Sequence, residues 1–383
     1  MQEMLLRGGE VYINGCFEKT DVLVRNGKIA EIGRELSAEN VLDASGMKVV
    51  PGFIDAHTHG AAGVDVNAAG VEGLRKIAAF FATQGTTAFQ ASVLTDTDEV
   101  TRQCLLDIQT VMQDEGMGAQ LLGAHLEGPF LASAYKGAMP EYLLQKGNAE
   151  LLRKWQKDFP GVIRYLTVSP EVEGVNEMIQ EVAEDVVVSI GHSGADYETA
   201  MQALRNGART TTHTFNAMRL FHQHEPAIMG AALESDCWCE AICDGRHLVP
   251  GTVRMLLKCK GLDRVMAVTD SIMAAGLPDG DYKLGVNDVV VVDGDAKLKD
   301  TGVRAGSTLT TIQALQNLIK FTGRSLEEVL PLLTANPADA LRLESKGRIA
   351  PGMDADLVLL TPELTVSRTI AGGHTVYEKE SEE

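Results

Sequence analysis

Residues 50-VPGFIDAHTHG-60 join an apolar run to two histidines that are one residue apart, His57 and His59. Side chains alternate along a β-strand with a period of two, so both imidazole rings would project from the same side of a strand. Such a pair suits a metal ion. Two ligands do not make a site, so the remaining ligands must come from elsewhere in the chain.

The middle of the chain alternates between short apolar segments and amphipathic helical patterns. Eight segments indicate strands: 49–57, 86–94, 120–127, 163–169, 186–192, 209–215, 238–244 and 264–270. Helical patterns such as 70–85 and 171–185 lie between them, and alternation of this kind predicts parallel βαβ units. Eight strands with their helices predict a (β/α)8 TIM-like barrel, which typically needs about 250 residues. An open doubly wound sheet is the alternative, but no glycine-rich dinucleotide fingerprint follows the first strand.

Both ends of the chain have β character instead. The stretch 22-VLVRNGKIAEI-32 indicates two strands around Asn26-Gly27, the strongest short hairpin signal. The stretch 347-GRIAPGMDADLVLLTPELTVSRTIAGGHTVYEK-379 indicates further short strands broken by Gly and Pro. We therefore predict a small β-sandwich domain built from residues 1–50 and 345–383, beside a catalytic barrel over residues 51–344.

Composition argues against several classes of partner. The chain has 34 basic and 53 acidic residues, a net charge of −19, and such a surface repels nucleic acid and anionic lipid. We find no signal-peptide pattern and no apolar run near the roughly 18 residues that span a bilayer, so a cytoplasmic location is expected. The cysteines of 237-CWCEAIC-243 lack zinc-ligand spacing, and we expect buried free thiols there.

Polar residues gather at the C-terminal ends of the predicted strands. They are His57 and His59 after strand one, His125 and Glu127 at strand three, His192 at strand five, His213 at strand six, Asp244 and His247 after strand seven, and Asp270 at strand eight. This end of a TIM barrel holds the active site. Each residue alone has an ordinary structural explanation; Asp270, for example, could be a helix N-cap. Independent structural roles would scatter over both barrel ends, so the convergence predicts a metal site.

The residue types restrict the chemistry of this site. Imidazole and carboxylate ligands suit Zn²⁺, Fe²⁺ or Mn²⁺, whereas Ca²⁺ and Mg²⁺ prefer oxygen ligands. An open site at a barrel mouth is catalytic, since a metal there lowers the pKa of bound water to about 7 and polarises a carbonyl under attack. We expect Asp270 to act as the general base on that water and then as the proton donor to the leaving group.

At these residues the sequence resembles the amidohydrolase superfamily and, within it, the N-acetylglucosamine-6-phosphate deacetylase family. The resemblance runs in order over nearly the whole chain, through 51-PGFIDAHTHG-60, 125-HLEGPFL-131, 191-GHS-193, 213-HTFNAM-218, 243-CDGRH-247, 269-TDS-271, 305-AGSTLT-310 and 351-PGMDADLVLL-360. It implies hydrolysis of the N-acetyl amide of an amino sugar phosphate, first of all N-acetylglucosamine 6-phosphate, to the amine and acetate. The family also has a small β domain built from both termini.

The resemblance further implies which residues hold metal. Glu127, His192 and His213 resemble the ligands of a metal that every member keeps. His57 and His59 resemble ligands of a second metal, bridged by Glu127, that some members bind and others have lost. With both histidines present, the resemblance implies two divalent ions per chain, zinc or iron.

The remaining roles concern the substrate. Asp270 resembles the family's acid/base, and His247 resembles the residue that contacts the substrate carbonyl and stabilises its oxyanion. Asn216 and Ala217 resemble residues that meet the phosphate. His125 has no ligand role in the family, and we interpret it as structural. Members are often dimers in which a neighbour's loop approaches the phosphate, which implies a homodimer.

Two positions depart from the family pattern. His224, in 219-RLFHQHEP-226, stands where members usually have a phosphate-binding Arg, and Met139, in 136-KGAMP-140, stands where they usually have His. Histidine is a weaker, pH-dependent partner for an anion, so the phosphate specificity stays open, with Arg219 as an alternative source of charge. The alternatives are a deacetylase of another epimer or of an unphosphorylated acetamido sugar, an amidohydrolase acting on a cyclic amide or an N-acyl amino acid, and a non-catalytic binding protein on a retired barrel.

Overall fold

Eight parallel strands form one nearly closed sheet in the middle of the chain, in a computed structural model that describes residues 3–380. In sheet order they are Phe53–Thr58, Thr86–Leu94, Gln120–Glu127, Ile163–Val168, Val187–Ile190, Thr210–Thr211, Trp238–Ala241 and Val265–Ala267. Thr58 pairs with Ser271, just beyond the eighth strand, and this bridge closes the sheet against its first strand. The predicted TIM-like barrel is therefore confirmed.

Helices follow most of these strands and cover the outside of the barrel. They are Gly70–Thr83, Asp98–Val111, Ala149–Asp158, Val175–Val182, Tyr197–Arg205, Ala227–Glu234, Pro250–Lys260, Thr311–Thr322, Leu326–Val329 and Ala335–Ala340. Short 3₁₀ turns lie at Val66–Ala68, Ser133–Tyr135, Glu141–Leu143 and Leu330–Leu333. Side chains satisfy free backbone N–H groups where some helices begin; the Asp196 carboxylate, for example, accepts from the N–H of Thr199 at 2.8 Å. The second helix, for example, buries an apolar stripe that includes Leu105 and Ile108.

A second, separate sheet combines both ends of the chain and fits the predicted small β domain. Its strands are Glu3–Ile13, Cys16–Arg25, Lys28–Gly33, Val41–Asp43, Lys48–Pro51, Leu357–Leu360, Val366–Ala371 and His374–Glu378. The predicted hairpin at Asn26-Gly27 is confirmed, with φ of 48° and 76° at these two residues, as a two-residue hairpin turn requires. The exact boundaries of the domain remain a prediction.

The run 49–57, which we predicted as one strand, is divided between the two sheets. Lys48–Pro51 belongs to the small sheet and Phe53–Thr58 to the barrel. Gly52 lies between them, and a Cβ at this residue would lie 2.0 Å from the Thr87 hydroxyl. The close approach explains why a glycine stands where the chain passes from one sheet to the other.

Strands five to eight are shorter than predicted. The strand predicted over 209–215 covers only Thr210–Thr211. The backbone takes a positive φ at His192 (47°), His213 (29°) and Asp270 (48°), which an extended strand does not allow. These three functional candidates therefore lie just beyond the strand ends. The β-branched and aromatic residues from which strands are predicted do not show that the backbone there is left-handed.

A three-stranded antiparallel insert follows the eighth barrel strand and was not predicted. Its strands are Gly280–Leu284, Asn287–Val292 and Asp295–Leu298. Leu284 and Val289 of the insert share a hydrophobic cluster with Leu94 and Leu131, which lie at the ends of barrel strands or just after them. The insert thus lies over the end of the barrel where the polar residues gather.

Over residues 3–380 none of the helices is long and apolar enough to cross a membrane. The three cysteines of the 237–243 segment are buried and free, as predicted.

Candidate metal centre

Six of the predicted side chains converge at the C-terminal end of the barrel. They are His57, His59, Glu127, His192, His213 and Asp270, all buried. Non-glycine residues with positive φ cost on the order of 1–3 kcal/mol and persist where the surroundings fix them. The Ser169 hydroxyl donates to the carbonyl of His192 at 2.6 Å, and the N–H of Ser307 donates to the carbonyl of Asp270 at 2.7 Å. Neighbouring segments of the barrel therefore hold the backbone at His192 and Asp270.

One group of candidate ligands contains Glu127, His192 and His213. Glu127 Oε1 lies 3.0 Å from His192 Nε2 and 3.2 Å from His213 Nε2. The two ring nitrogens are 3.0 Å apart. All three residues come from different strands, so only the closed barrel brings them together.

The second group contains His57, His59 and Asp270. The Nε2 atoms of His57 and His59 are 3.1 Å apart, and Asp270 Oδ1 lies 3.5 Å from the first and 3.3 Å from the second. Glu127 connects the groups, because its Oε2 lies 3.2 Å from His59 Nε2 while its Oε1 faces the other two histidines. The geometry places Asp270 beside the two histidines of the opening stretch.

These donors fit divalent metal ions. Ligand atoms about 2.0–2.1 Å from a tetrahedral ion lie roughly 3.3 Å from one another, close to the separations within both groups. The Nδ1 atoms of His59 and His192 contact the backbone carbonyls of Ser92 and Tyr135, at 3.1 and 2.7 Å. A ring that donates from Nδ1 presents the lone pair of Nε2 to a metal, which is the usual arrangement around metal ions in proteins.

Buried charges in the site shift the pKa values of their neighbours. Burial alone would lower the pKa of His57, but the carboxylates of Glu240, Asp270 and Glu127 raise it to about 9. Burial would raise the pKa of Asp270, but the neighbouring His57 and His59 lower it to about 2. Asp270 is therefore ionised at neutral pH. A metal entering this site must displace protons from imidazole rings.

A cavity of about 490 Å³ opens onto the two groups. Of the predicted residues, its walls include His59, Glu127, His192, His213, Asn216, Ala217, His247 and Asp270. The Asp244 carboxylate accepts from both the backbone N–H and the Nδ1 of His247, at 2.7 Å each, which fixes the ring and leaves its Nε2 available. A small polar ligand in this cavity would contact the candidate ligands and His247 together.

Comparison with known proteins decides the family. The model of the amidohydrolase family matches residues 48–376. The chain belongs to this family. An N-acetylglucosamine-6-phosphate deacetylase of Lysinibacillus sphaericus is 37% identical over 95% of both chains, and an N-acetylgalactosamine-6-phosphate deacetylase of Escherichia coli O157:H7 is 31% identical over 92% of this chain and 94% of its own. The crystal structure of N-acetylglucosamine-6-phosphate deacetylase from Thermotoga maritima superposes with a TM-score of 0.89 at 33% identity, over 98% of this chain and all of the other.

Two residues that sequence reasoning connected with phosphate lie outside the walls of this amidohydrolase's cavity. His224 is exposed, and Arg219 forms an ion pair with Glu225. The cavity walls instead contain Lys136 and Arg304. The Arg304 guanidinium is held by both oxygens of the Asp295 carboxylate of the insert, at 2.7 and 3.0 Å. Binding of phosphate by His224 or Arg219 remains a prediction.

His125 is buried between two hydroxyl groups and is in neither ligand group. Its Nδ1 lies 2.8 Å from the Ser92 hydroxyl and its Nε2 2.8 Å from the Thr167 hydroxyl. Burial and the nearby His57 hold its pKa well below the usual range, so the ring is neutral. Both ring nitrogens are already bonded within the barrel, which supports the structural interpretation.

Sequence reasoning missed Glu240, a buried carboxylate beside His57. It is the single acidic residue of the apolar strand Trp238–Ala241. That isolation was a usable signal, since a carboxylate inside an apolar strand is costly without partners. Lys136 and Arg304 carry no comparable signal, because nothing local in the sequence connects them to the barrel mouth.

Proposed function

We propose that this amidohydrolase removes the acetyl group of N-acetylglucosamine 6-phosphate, giving glucosamine 6-phosphate and acetate. The observation that carries the proposal is the convergence of two three-residue ligand groups, one containing Asp270, at the wall of one cavity. The cavity volume of about 490 Å³ falls in the range of roughly 300–1,000 Å³ that small-molecule sites occupy. The named relatives, deacetylases of 6-phosphorylated acetamido sugars, support this substrate class.

The ligand groups support a binuclear centre of zinc or iron. Glu127, His192 and His213 would hold one ion, and His57 and His59 would hold a second with Glu127 between the two. The Glu127 carboxylate lies between the two groups, with Oε1 nearest His192 and His213 and Oε2 nearest His59. A metal in this site supplies water activation near neutral pH and polarisation of the amide carbonyl.

Side chains of the protein are proposed to transfer the proton, stabilise the oxyanion and bind the phosphate. The ionised carboxylate of Asp270 accepts a proton from the attacking water and returns it to the departing sugar amine. Asp244 orients the His247 ring at the cavity wall, where the ring is proposed to contact the substrate carbonyl and to stabilise the oxyanion that develops on it. Asn216 and Ala217, at the cavity wall, are proposed to meet the phosphate.

Acetate release is the decisive assay. Metal-loaded protein is expected to release acetate from N-acetylglucosamine 6-phosphate, and chelation should abolish the release. Failure to release acetate from any acetamido sugar would reject the proposal. Metal analysis of the same sample reports the number of ions per chain, for which two are expected.

A second candidate substrate is N-acetylgalactosamine 6-phosphate. The E. coli relative named for that substrate is 31% identical, close to the 37% of the first relative, so overall similarity does not separate the two epimers. Relative kcat/KM on the two phosphorylated sugars, on free N-acetylglucosamine and on N-acyl amino acids decides among them. A homodimer and a cytoplasmic location belong to the same proposal; sedimentation that shows only monomer at assay concentrations would contradict the dimer.

A further inference from the structure

Glu240 lies behind the candidate metal centre, inside the barrel and with no exposed surface. Its Oε2 lies 3.0 Å from His57 Nδ1 and accepts from the backbone N–H of His213 at 2.7 Å. Its Oε1 accepts from the Tyr165 hydroxyl at 2.7 Å. One carboxylate therefore contacts a residue of each ligand group, although it faces away from the cavity.

The contact with His57 sets the state of that ring. An ionised carboxylate accepts hydrogen bonds only, so it keeps a proton on Nδ1; in the neutral ring that would bind a metal, the lone pair is then on Nε2, which lies beside His59 and Asp270. The Nδ1 atoms of His59 and His192 contact neutral carbonyl oxygens, whereas that of His57 contacts a charged group. A carboxylate behind a ligating imidazole raises its basicity and fixes its orientation.

The contact with His213 sets the backbone of the other ligand group. His213 has a φ of 29°, and its N–H donates to the side chain of Glu240 rather than to a backbone carbonyl of the neighbouring strand. Within residues 3–380 the ion-pair partner of Glu240 is His57. The carboxylate is thus held by an imidazole, a peptide N–H and a phenol, all of which belong to the barrel interior.

We propose that Glu240 is a positioning residue that fixes the tautomer of His57 and couples the two ligand groups, and so strengthens metal binding without contacting substrate. The inference rests on the proposed metal centre. Removing carboxylates that support a metal-binding histidine typically weakens metal affinity by about 10–100-fold. The same loss is expected here, mainly for the ion on the side of His57 and His59.

Glu240→Gln tests the proposal because it keeps the shape of the side chain and removes its charge. The full-length protein is stripped, titrated with Zn²⁺ in a metal buffer, and analysed for ions per chain. Thermal unfolding is recorded with and without metal. We expect the free Zn²⁺ at half-loading of the second ion to rise about 10–100-fold. The rise in Tm on metal addition should shrink, and loading at the unmodified concentration would overturn the proposal.

Asp356→Asn provides a matched control for the loss of a buried charge. Asp356 pairs with Lys346 at 2.7 Å in a buried ion pair remote from the ligand groups. This variant should lower the Tm of the metal-free and the metal-loaded protein alike, so that the metal-induced rise is unchanged. If Glu240→Gln gives the same parallel decrease, its role is only structural and the proposal fails.

A second variant covers the case in which Glu240→Gln does not fold. Glu240→Asp keeps the charge but withdraws it from His57 Nδ1 by one methylene, so weaker Zn²⁺ binding is again expected, and unchanged binding overturns the proposal. The readout is metal binding rather than turnover. If the unmodified protein binds no divalent metal, the proposed function itself fails; if it binds metal and the variants bind equally well, only the role of Glu240 fails.

Discussion

Gly306 offers a sharp test of how the barrel holds Asp270. It has a φ of +61°, and a Cβ at this residue would lie 2.4 Å from Ile272 Cγ2 and 2.9 Å from the carbonyl oxygen of Asp270. Non-bonded carbons normally lie about 3.5–4.0 Å apart, so Gly306→Ala forces neighbouring atoms to move by roughly 1 Å. Left-handed backbone costs a non-glycine residue about 1–2 kcal/mol, and overpacking adds about 1–3 kcal/mol. A shift of about 1 Å in a reacting group costs roughly 100-fold in rate.

Gly302→Ala separates the two effects. Gly302 has a φ of +69° but nothing within 4 Å of the added Cβ, so it should show the backbone strain without the displacement. Denaturant unfolding and acetate release at saturating substrate are measured for both variants with metal content matched. We expect Gly302→Ala to lose about 1–2 kcal/mol of stability and to keep its kcat. Gly306→Ala should lose more stability than this, and its kcat should fall about 100-fold. Near-normal turnover in Gly306→Ala, or equal losses of turnover in both variants, would refute the reasoning.

Three further predictions concern single groups of the site. Asp270→Asn should lower kcat about 10²–10⁴-fold, because an amide does not accept the proton. Metal analysis should still find bound ions, and a near-normal rate would remove Asp270 from the mechanism. The pKa of His57 in the metal-free protein is raised to about 9 from an ordinary 6.5, so its contribution to stability is fully present below pH 6.5 and is lost as the pH rises to about 9. Thermal unfolding of chelated protein from pH 6 to 9 should show this decline, and His57→Asn should reduce it. Arg304→Met should lower kcat/KM about tenfold or more for a 6-phosphorylated sugar and less for the free sugar, since a charge-assisted hydrogen bond contributes about 1.5–3 kcal/mol. An equal decrease for both sugars would contradict binding of the phosphate by Arg304.

The barrel and the candidate ligands could be predicted because the sequence shows the periodicities of strands and of helices in alternation. Thr86–Leu94 and Gln120–Glu127 have the predicted bounds. Parallel strands bring their C-terminal ends to one side of the barrel, so Glu127 and His213, which are 86 positions apart in sequence, could be assigned to one site before their contact was known. The left-handed backbone at His213 could not be predicted, because its N–H donates to the carboxylate of Glu240, which is 27 positions later in the sequence.

The insert and the cations near it could not be predicted for a related reason. The pairing Gly280–Leu284 with Asn287–Val292 is local, but its position over the barrel end depends on apolar contacts of Leu284 with a residue such as Leu94, far away in sequence. The Arg304 guanidinium is held at the cavity wall by the Asp295 carboxylate of the insert and by the backbone carbonyl of Arg246. Contacts of this kind follow from three-dimensional packing rather than from a repeat along the chain.

The stretch that contains His57 and His59 closes the barrel as well as supplying candidate ligands. The hydroxyl and the N–H of Thr269 donate to the Asp55 carboxylate at 2.6 and 3.2 Å. The N–H of Asp270 then donates to the carbonyl of His57 at 2.8 Å, and the N–H of His59 donates to the carbonyl of Ser271 at 2.7 Å. Residues 55–59 and 269–271 are therefore the two sides of one seam, at which the first strand meets the segment after the last. Because Asp270 and the two histidines lie on opposite sides of that seam, the second ligand group assembles only when the barrel closes. A variant that opens the seam should therefore lose metal binding before its outer helices unfold.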